Sequence, residues 1–378
     1  MTKAAMHIPT SEILELFDAA LSADYTKVRR IGSRVSQAVA AEDPEAAKAL
    51  RSLLRRKGVP LQASGYLETL PVDSKSRSPL VEEQPWPTSP LFVDEQSGSI
   101  FRNFIEDATN VQILTEKGLG TRLSMLLSGP PGTGKSLLAG HLAAQLNKPL
   151  YVVRLDSVVS SYLGDTAKNL RNVFDFIPSR NAVLFLDEMD AVAKIRDDKN
   201  ELGELKRVVN TLIQGLDSLD DQSVVIGATN HAQLLDPAIW RRFPYKIELG
   251  FPSEEVLCDL WSHYLQNDNS DSTVSRMLAK IAAGLTGAEV EDLALAARRH
   301  ALLDKREVDL AAVAWAAMCL REGRYAMPAR DGVSTEIKKK LASQLVNTSG
   351  VSGADVARLL GVSRQAISGY LRDERDGT

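Results

Sequence analysis

The chain has 378 residues, of which 44% are apolar and 25% charged, and its formal net charge is -4. This length suits two or three domains, and this composition excludes a disordered chain and one that coats nucleic acid over its whole surface. Short, charge-interrupted apolar runs, an N-terminus without an apolar leader and only two cysteines, Cys258 and Cys319, predict a cytoplasmic protein with free thiols and no membrane span.

The chain begins with three helical patterns. Apolar residues recur at helical spacing over 12–21, 25–39 and 44–56, and Asp43 precedes Pro44 as a helix cap would. We therefore predict an N-terminal helical domain over residues 1–58 that either docks a partner or is a structural appendage. Prolines then crowd residues 59–95, a composition typical of an extended linker.

A glycine loop follows the apolar run 123–127. Residues 129–136 read Gly-Pro-Pro-Gly-Thr-Gly-Lys-Ser, and a helical pattern continues over 137–144. A strand, a glycine loop and a helix together bind phosphate, because backbone N–H groups and the helix N-terminus face one anion. Lys135 would then reach the β- and γ-phosphates, and Ser136 would offer its hydroxyl to Mg²⁺. The predicted nucleotide-binding residues here are Gly129, Pro130, Pro131, Gly132, Thr133, Gly134, Lys135, Ser136 and Leu137. The alternative is an ordinary glycine turn.

Four more apolar runs, 150–155, 182–186, 223–228 and 246–249, alternate with helical patterns. Such alternation predicts an α/β fold with a parallel sheet covered on both faces. Asp187 and Glu188 follow the second of these runs, at the strand end where parallel sheets bind ligands. We predict that Asp187 helps to hold Mg²⁺ and that Glu188 polarises the attacking water. An acidic helix cap is the alternative.

These motifs resemble an AAA+ ATPase over about residues 101–325, in the branch that contains spastin, katanin and the ATPase module of FtsH. The resemblance implies a P-loop parallel sheet in a large nucleotide-binding subdomain (96–252) and a helical lid (253–326). It also implies that Asn230, which ends Ile-Gly-Ala-Thr-Asn, positions water. Arg241 and Arg242, in Leu-Asp-Pro-Ala-Ile-Trp-Arg-Arg-Phe, would be arginine fingers for a neighbouring subunit. Alternatively, the two arginines pair with surface acids.

Two other segments resemble this branch. Residues 214–217, Gln-Gly-Leu-Asp, are similar to the segment that senses the adjacent subunit's nucleotide. Gly287 and Ala288 lie where the branch carries Gly-Ala in its lid, which implies that they line the adenine and ribose side. The resemblance implies ATP and Mg²⁺ as ligands, ATP hydrolysis, and a homo-oligomer with six subunits.

Residues 156–171 resemble the first pore loop of protein-threading members. Tyr162, Leu163 and Gly164 occupy its aromatic, aliphatic and glycine places, and an aromatic face can grip many side chains. A buried tyrosine at a helix start is the alternative. The five histidines include no His-Glu-x-x-His, so a peptidase that receives the substrate would be a separate chain.

The tail, residues 327–378, resembles a helix-turn-helix domain over 352–371. Gly361 permits the turn, and Arg364, Gln365 and Ser368 lie in the first turns of the recognition helix, where side chains reach DNA. Residues 335–378 contain seven Lys or Arg and five Asp or Glu, a net charge of +2. A three-helix domain that docks protein is the alternative.

The sequence thus predicts a ring-forming ATP hydrolase that remodels, unfolds or threads a protein substrate. A separate protease could receive that substrate, and DNA could tether the ring. The alternative is a DNA-binding AAA+ ATPase that acts on nucleic acid or regulates a DNA-bound assembly. A nucleotide-dependent scaffold that does not hydrolyse ATP is a third class.

Overall fold

The computed structural model describes residues 15, 31–32, 34–36, 39, 70–73, 77–158, 163–177, 180–194, 202–265, 272–347 and 351–376. It divides into two units, residues 1–70 and 71–378. In the first unit Ile31, Ser36 and Val39 are buried, and Arg34 pairs with Glu15 at 3.1 Å. Most of the predicted N-terminal helices, 12–21, 25–39 and 44–56, lie outside the described residues.

The second unit begins with an edge strand and a mixed α/β region. Its described elements are, in chain order, β1 (Glu82–Gln84), α1 (Glu95–Thr109), α2 (Val111–Glu116), β2 (Ser124–Ser128), α3 (Lys135–Gln145), β3 (Leu150–Arg154), α4 (Leu155–Val158), α5 (Leu163–Phe176), β4 (Val183–Asp187), α6 (Ala191–Lys194), α7 (Leu202–Ser218), β5 (Val224–Thr229), a short 3₁₀ helix (Ala232–Leu234), α8 (Pro237–Trp240) and β6 (Tyr245–Glu248). Helices follow: α9 (Glu254–Leu265), α10 (Ser272–Ile281), α11 (Gly287–Leu303), α12 (Leu310–Arg321), α13 (Thr335–Asn347), α14 (Gly353–Leu360) and α15 (Arg364–Asp376).

The sheet has the strand order β1-β3-β4-β5-β2-β6, in which β1 is antiparallel to β3 and the other pairs are parallel. Every residue of β2 and β5 is buried, as expected for strands covered on both faces. The five predicted runs agree with β2 to β6 within two residues at each end. The prediction of an α/β fold built on a parallel sheet is confirmed.

Residues 80–93 are packed against this sheet region, which corrects the prediction of an extended linker for that part of 59–95. Val81 is fully buried, and β1 pairs with β3. Trp86 Nε1 donates to the Lys148 carbonyl at 3.0 Å, just after the end of α3. A Cβ atom on Gly140 would lie only 2.8 Å from Pro87 Cδ, so this segment touches α3 closely. Prolines are typical of linkers, but they also occur beside edge strands, as Pro85 does directly after β1.

The helices from α9 to α15 share one hydrophobic core. It includes Trp261 and Leu278 before α12, Ala317 within it, and Val356 and Ile367 after it. Eight of the twelve residues of α12 are buried, including two runs of four consecutive residues, so this helix is enclosed on all sides. Helix α12 contacts α10 and α11 and also α13 and α14.

Both cysteines are free, as predicted, with Cys319 buried and Cys258 partly buried. Within the described ranges, no helix is both long and apolar enough to cross a membrane.

Candidate functional site

The loop between β2 and α3 has the backbone that only glycine adopts easily. Gly129, Gly132 and Gly134 have φ values of 143°, 78° and 94°, and Gly134 caps α3 in the left-handed conformation. A Cβ atom on Gly129 would lie 2.0 Å from the Leu249 carbonyl oxygen, so the residue that follows β6 leaves no room for a side chain. The loop is therefore a tight cradle at a helix N-terminus, which suits an anion.

Lys135 opens α3 with its ammonium group folded back onto this loop. Its Nζ donates to the carbonyl oxygens of Gly129 and Pro130, both at 2.8 Å. Burial lowers the pKa of the Lys135 ammonium, and Asp187, Glu188 and Asp190 partly oppose that shift by favouring the charged form. A cation is thus held beside the cradle, where a phosphate could replace the two carbonyls.

Two acids follow β4. Asp187 Oδ1 accepts a hydrogen bond from the Glu188 backbone N–H at 2.9 Å. Glu188 has a φ of 55°, a left-handed conformation that costs a non-glycine residue about 1–3 kcal/mol and clusters at functional sites. This turn directs the Glu188 carboxylate to Asn230.

Asn230 follows β5 and faces Glu188. Its Nδ2 lies 3.4 Å and 3.5 Å from the two carboxylate oxygens of Glu188. Its Oδ1 is buried and has no hydrogen-bond partner within the part of the chain that the structure describes. The amide therefore orients the carboxylate and keeps one acceptor for a water or a ligand.

Sequence reasoning missed the role of Asp190, which is fully buried. Asp190 Oδ1 accepts from Thr229 Oγ1 at 3.0 Å and from the Asn230 backbone N–H at 3.2 Å. It thereby fixes the backbone that carries the Asn230 amide. The acid lies two residues after Glu188, but nothing in the sequence indicates its contact with β5.

The glycine loop from Pro131 onward, Lys135, the two acids Asp187 and Glu188, and Asn230 line one cleft of about 410 Å³, which helices α9 and α11 also line. The cleft also receives Gly287 and Ala288, and the Ala288 N–H donates to the Gly132 carbonyl at 3.2 Å. Its lining includes Ser89, Pro90, Leu91, Phe92 and Val93 from the segment predicted as a linker, and Val256, Leu260, Tyr264 and Glu291 from α9 and α11. Burial and the carboxylate of Glu291 raise the pKa of Tyr264. The end of the cleft that these two sets of residues line is mainly apolar.

Ser136 and Asp187 line this same cleft, so both predicted Mg²⁺ ligands face one space. In the described ranges no three His, Cys, Asp or Glu residues form a metal-binding group. A hydroxyl and one carboxylate fit Mg²⁺, which usually completes its octahedron with phosphate oxygens and water.

Arg241 and Arg242 lie at the end of α8 and do not line the cleft of their own chain. Arg242 Nη2 pairs with Asp217 Oδ2 at 3.0 Å, and Arg122 Nη1 pairs with Asp217 Oδ1 at 2.6 Å. The hydrogen bonds from Arg242 and then Arg122 lower the pKa of Asp217. Arg241 is exposed and has no ion pair among the residues that the structure describes. The alternative that the sequence left open, an arginine paired with a surface acid, is thus observed for Arg242.

The remaining predicted sites lie elsewhere. Tyr162 is outside the described residues, and Leu163 and Gly164 open α5. In the tail, Arg364, Gln365 and Ser368 are exposed on the first turns of α15. Gly361 ends α14 in the left-handed conformation, at a φ of 62°.

The family model for the ATPase family associated with various cellular activities, AAA, matches residues 125–251. This span contains the phosphate loop, the acids after β4, Asn230 and both arginines. Residues 125–251 are therefore similar to the AAA family. The predicted resemblance is confirmed, and α9 to α15 lie beyond the matched span.

Curated relatives share this AAA domain. An uncharacterised AAA family ATPase, y4kL, of Sinorhizobium fredii is 36% identical over 211 residues, which are 55% of this chain and 63% of that protein. A spastin homolog of Caenorhabditis elegans is 35% identical over 194 residues, 49% of this chain and 37% of that protein. A proteasome-activating nucleotidase of Methanococcus maripaludis is 33% identical over 205 residues, 52% of this chain and 50% of that protein. The chain thus spans between about a third and two thirds of these relatives.

A solved structure, the FIGL-1 AAA domain in complex with ADP, aligns with 62% of this chain and 78% of that one. Its TM-score is 0.49 and its sequence identity 21%.

Proposed function

We propose that this chain is a ring-forming ATP hydrolase that uses ATP and Mg²⁺ to remodel, unfold or thread a protein substrate. The observation that carries the proposal is the pair of Glu188 and Asn230, at 3.4 Å, in the same cleft as Lys135. Phosphoryl transfer needs a positioned water and charge stabilisation more than covalent chemistry. A carboxylate oriented by an amide, beside a buried lysine, supplies both.

We match each part of the nucleotide to the residues of the cleft that suit it chemically. The glycine loop and Lys135 would hold the phosphates, and Ser136 and Asp187 would hold Mg²⁺, which neutralises charge on the phosphate oxygens. The apolar end of the cleft, with Phe92 and Leu260 and with Gly287 and Ala288 beside it, would take the base and ribose. The residues of the loop are Gly129, Pro130, Pro131, Gly132, Thr133, Gly134 and Leu137.

Hydrolysis would require a second copy of the chain. Arg241 and Arg242 do not line their own cleft, so in this proposal they would stabilise the transition state in the cleft of a neighbour. A closed ring places one arginine pair at every seam, and six subunits is the number that the AAA resemblance favours. Glu188, Lys135, Asn230 and the neighbour's arginines would then form one catalytic site.

The relatives support a protein as the substrate. The proteasome-activating nucleotidases are, by their name, nucleotidases that activate a proteasome. In this chain Tyr162, Leu163 and Gly164 would grip the substrate, and residues 1–58 would recruit a partner. We expect the assembly in the cytoplasm.

A second candidate function is action on DNA. The observation that favours it is the exposure of Arg364, Gln365 and Ser368 on the first turns of α15, after the turn at Gly361. In a helix-turn-helix these are the positions that reach base edges and phosphates. Lys338, Lys339 and Lys340 on α13 would add phosphate contacts.

The first experiment measures ATP turnover per chain against protein concentration. The proposal expects turnover to rise as the ring assembles, and expects Glu188→Gln to bind ATP but lose about 10²–10⁴-fold in rate. Lys135→Ala should abolish binding. Constant turnover of a monomer at every concentration would refute a shared site, and an unchanged rate for Glu188→Gln would favour a scaffold without catalysis.

The second experiment separates the two substrates. Turnover is measured with an unfolded protein and with duplex DNA, in wild type, Tyr162→Ala and Arg364→Ala. Stimulation by unfolded protein that is lost in Tyr162→Ala supports protein threading, and stimulation by DNA that is lost in Arg364→Ala supports the second candidate. Tyr325→Ala serves as the control, because Tyr325 is 86% exposed and lies outside the predicted pore loop.

A further inference from the structure

The tail does not hang from the lid by a linker but is packed into it. Helix α12, the last lid helix, contacts α13 and α14 of the tail as well as α10 and α11 of the lid. Its buried residues run consecutively from Ala311 to Ala314 and from Ala316 to Cys319. A helix with no solvent face needs partners on every side, and the tail provides those that the lid lacks.

The same core reaches the nucleotide cleft at its other end. Leu260 and Tyr264 on α9 line the cleft and also belong to the hydrophobic cluster that contains Val356 and Ile367 of the tail. Cores are packed as densely as organic crystals, and they transmit displacement instead of absorbing it. A shift of α9 or α11 at the nucleotide would therefore be carried to α14 and α15.

The tail helices that share this core also carry a basic face. Arg364, Gln365 and Arg372 are exposed on α15, while Ile367 on the same helix is buried in the shared core. Lys339 Nζ lies 5.9 Å from the centroid of the Tyr370 ring, which brings the lysines of α13 to the same helix. The helix that carries the candidate DNA contacts is thus anchored directly in the core of the lid.

We propose that the face of α13 and α15 is a duplex-DNA docking surface built into the ATPase lid, so that DNA and nucleotide affect each other's affinity. This inference rests on the DNA contact proposed above as the second candidate. Each ligand would select the same lid position, and linkage then requires an equal change in both affinities. Such couplings typically amount to about 5-fold to 150-fold.

The test uses the full chain with Glu188→Gln, so that bound ATP persists. The dissociation constant of ATP is measured with and without a saturating fluorescent duplex at low salt, and that of the duplex with and without ATP. The expected result is the same change, about 5-fold or more, in both directions. Arg364→Ala added to this background should lose duplex binding and the change in ATP affinity, and should keep the ATP affinity measured without DNA. The matched control is Arg299→Ala, because Arg299 is an exposed arginine on α11. This variant should keep duplex binding, the change in ATP affinity and the ATP affinity without DNA.

The results of this experiment separate the proposed coupling from the DNA binding on which it rests. Duplex binding with less than a twofold change in either direction overturns the coupling and leaves DNA binding standing. Absence of duplex binding at low salt overturns DNA binding and the coupling together.

Amide hydrogen exchange tests, without DNA, whether the tail responds to nucleotide together with the lid. ADP should slow exchange in α14 and α15 together with the lid helices α9 and α11. Slowing in α9 and α11 alone would show that the tail does not respond with the lid, and would overturn the shared core as the route of the coupling.

Discussion

Arg242 is tied to Asp217 at 3.0 Å, whereas Arg241, its neighbour in the chain, extends from α8 without an ion pair among the described residues. Asp217 ends the segment 214–217 that resembles a sensor of the adjacent subunit, and it also binds Arg122. The two arginines therefore start from different states. In the proposed ring, Arg241 would enter a neighbouring cleft directly, whereas Arg242 would first have to leave Asp217.

This difference predicts unequal effects of the two arginines. Arg241→Ala should lower kcat by about 10³-fold, the lower end of the range for arginine fingers. Arg242→Ala should lower kcat less, because Arg242 would have to give up its ion pair with Asp217 before it could stabilise the transition state. Steady-state turnover at saturating ATP gives both values.

A mixing experiment provides the control. Each arginine variant, mixed with Lys135→Ala, should recover part of the turnover, since an intact finger and an intact phosphate loop then meet at some seams. Equal losses for both variants, or no recovery in any mixture, would contradict the assignment.

The pair of Asp217 and Arg242 should not titrate near neutral pH. The two arginines lower the pKa of Asp217, so the stabilisation is complete above the ordinary carboxyl pKa of 3.8 and is lost only as the pH falls through the lowered value. The difference in unfolding free energy between wild type and Asp217→Asn should thus be constant from about pH 6 to about pH 9. Because Asp217 is exposed, that difference should be no more than about 1 kcal/mol. Urea unfolding at several pH values measures it, and a slope across neutral pH would contradict a lowered pKa for Asp217.

Asp190 should act as a positioning residue. Without its carboxylate, the N–H of Asn230 and the hydroxyl of Thr229 lose their acceptor, and the Asn230 amide loses its alignment with Glu188. We expect Asp190→Ala to lower kcat by about 10²-fold, the cost of misplacement by about 1 Å, with little change in the KM for ATP.

Two further variants test whether that effect is positional. Asp190→Asn keeps an oxygen acceptor and should restore part of kcat. Asn230→Ala combined with Asp190→Ala should cost little more than Asn230→Ala alone, because both changes disturb one amide. A raised KM with unchanged kcat would instead point to a role in binding.

Gly129 should not tolerate even a methyl group. Its φ of 143° and the 2.0 Å that would separate a Cβ atom from the Leu249 carbonyl oxygen oppose any side chain. We expect Gly129→Ala to lower the unfolding free energy by about 1–3 kcal/mol and to abolish ATP binding. Gly250→Ala, at the residue after Leu249, is the matched control, since a Cβ there would meet nothing within 4 Å. Similar stability and ATP affinity for the two variants would refute the steric argument.

The strands and the loops of the candidate site were predictable because their signals are local. Buried parallel strands read as continuous apolar runs, and the phosphate loop, Asp187, Glu188 and Asn230 stand at strand ends in characteristic order. The contacts of Asp217 with Arg122 and Arg242 join residues 95 and 25 positions apart, and no local pattern encodes them. The same holds for Asp190 and Thr229, and for the proline-rich segment, whose contact with α3 depends on the small size of Gly140.

The enclosure of α12 also restricts how chains of this kind can be built or shortened. A cut after residue 326, the natural place between a lid and an appended module, would leave apolar residues of α12 facing water and would yield an aggregating fragment. A successful chimera must exchange α12 together with the tail, or give that helix a polar outer face. The buried residues of α12 therefore make this helix and the tail one structural unit.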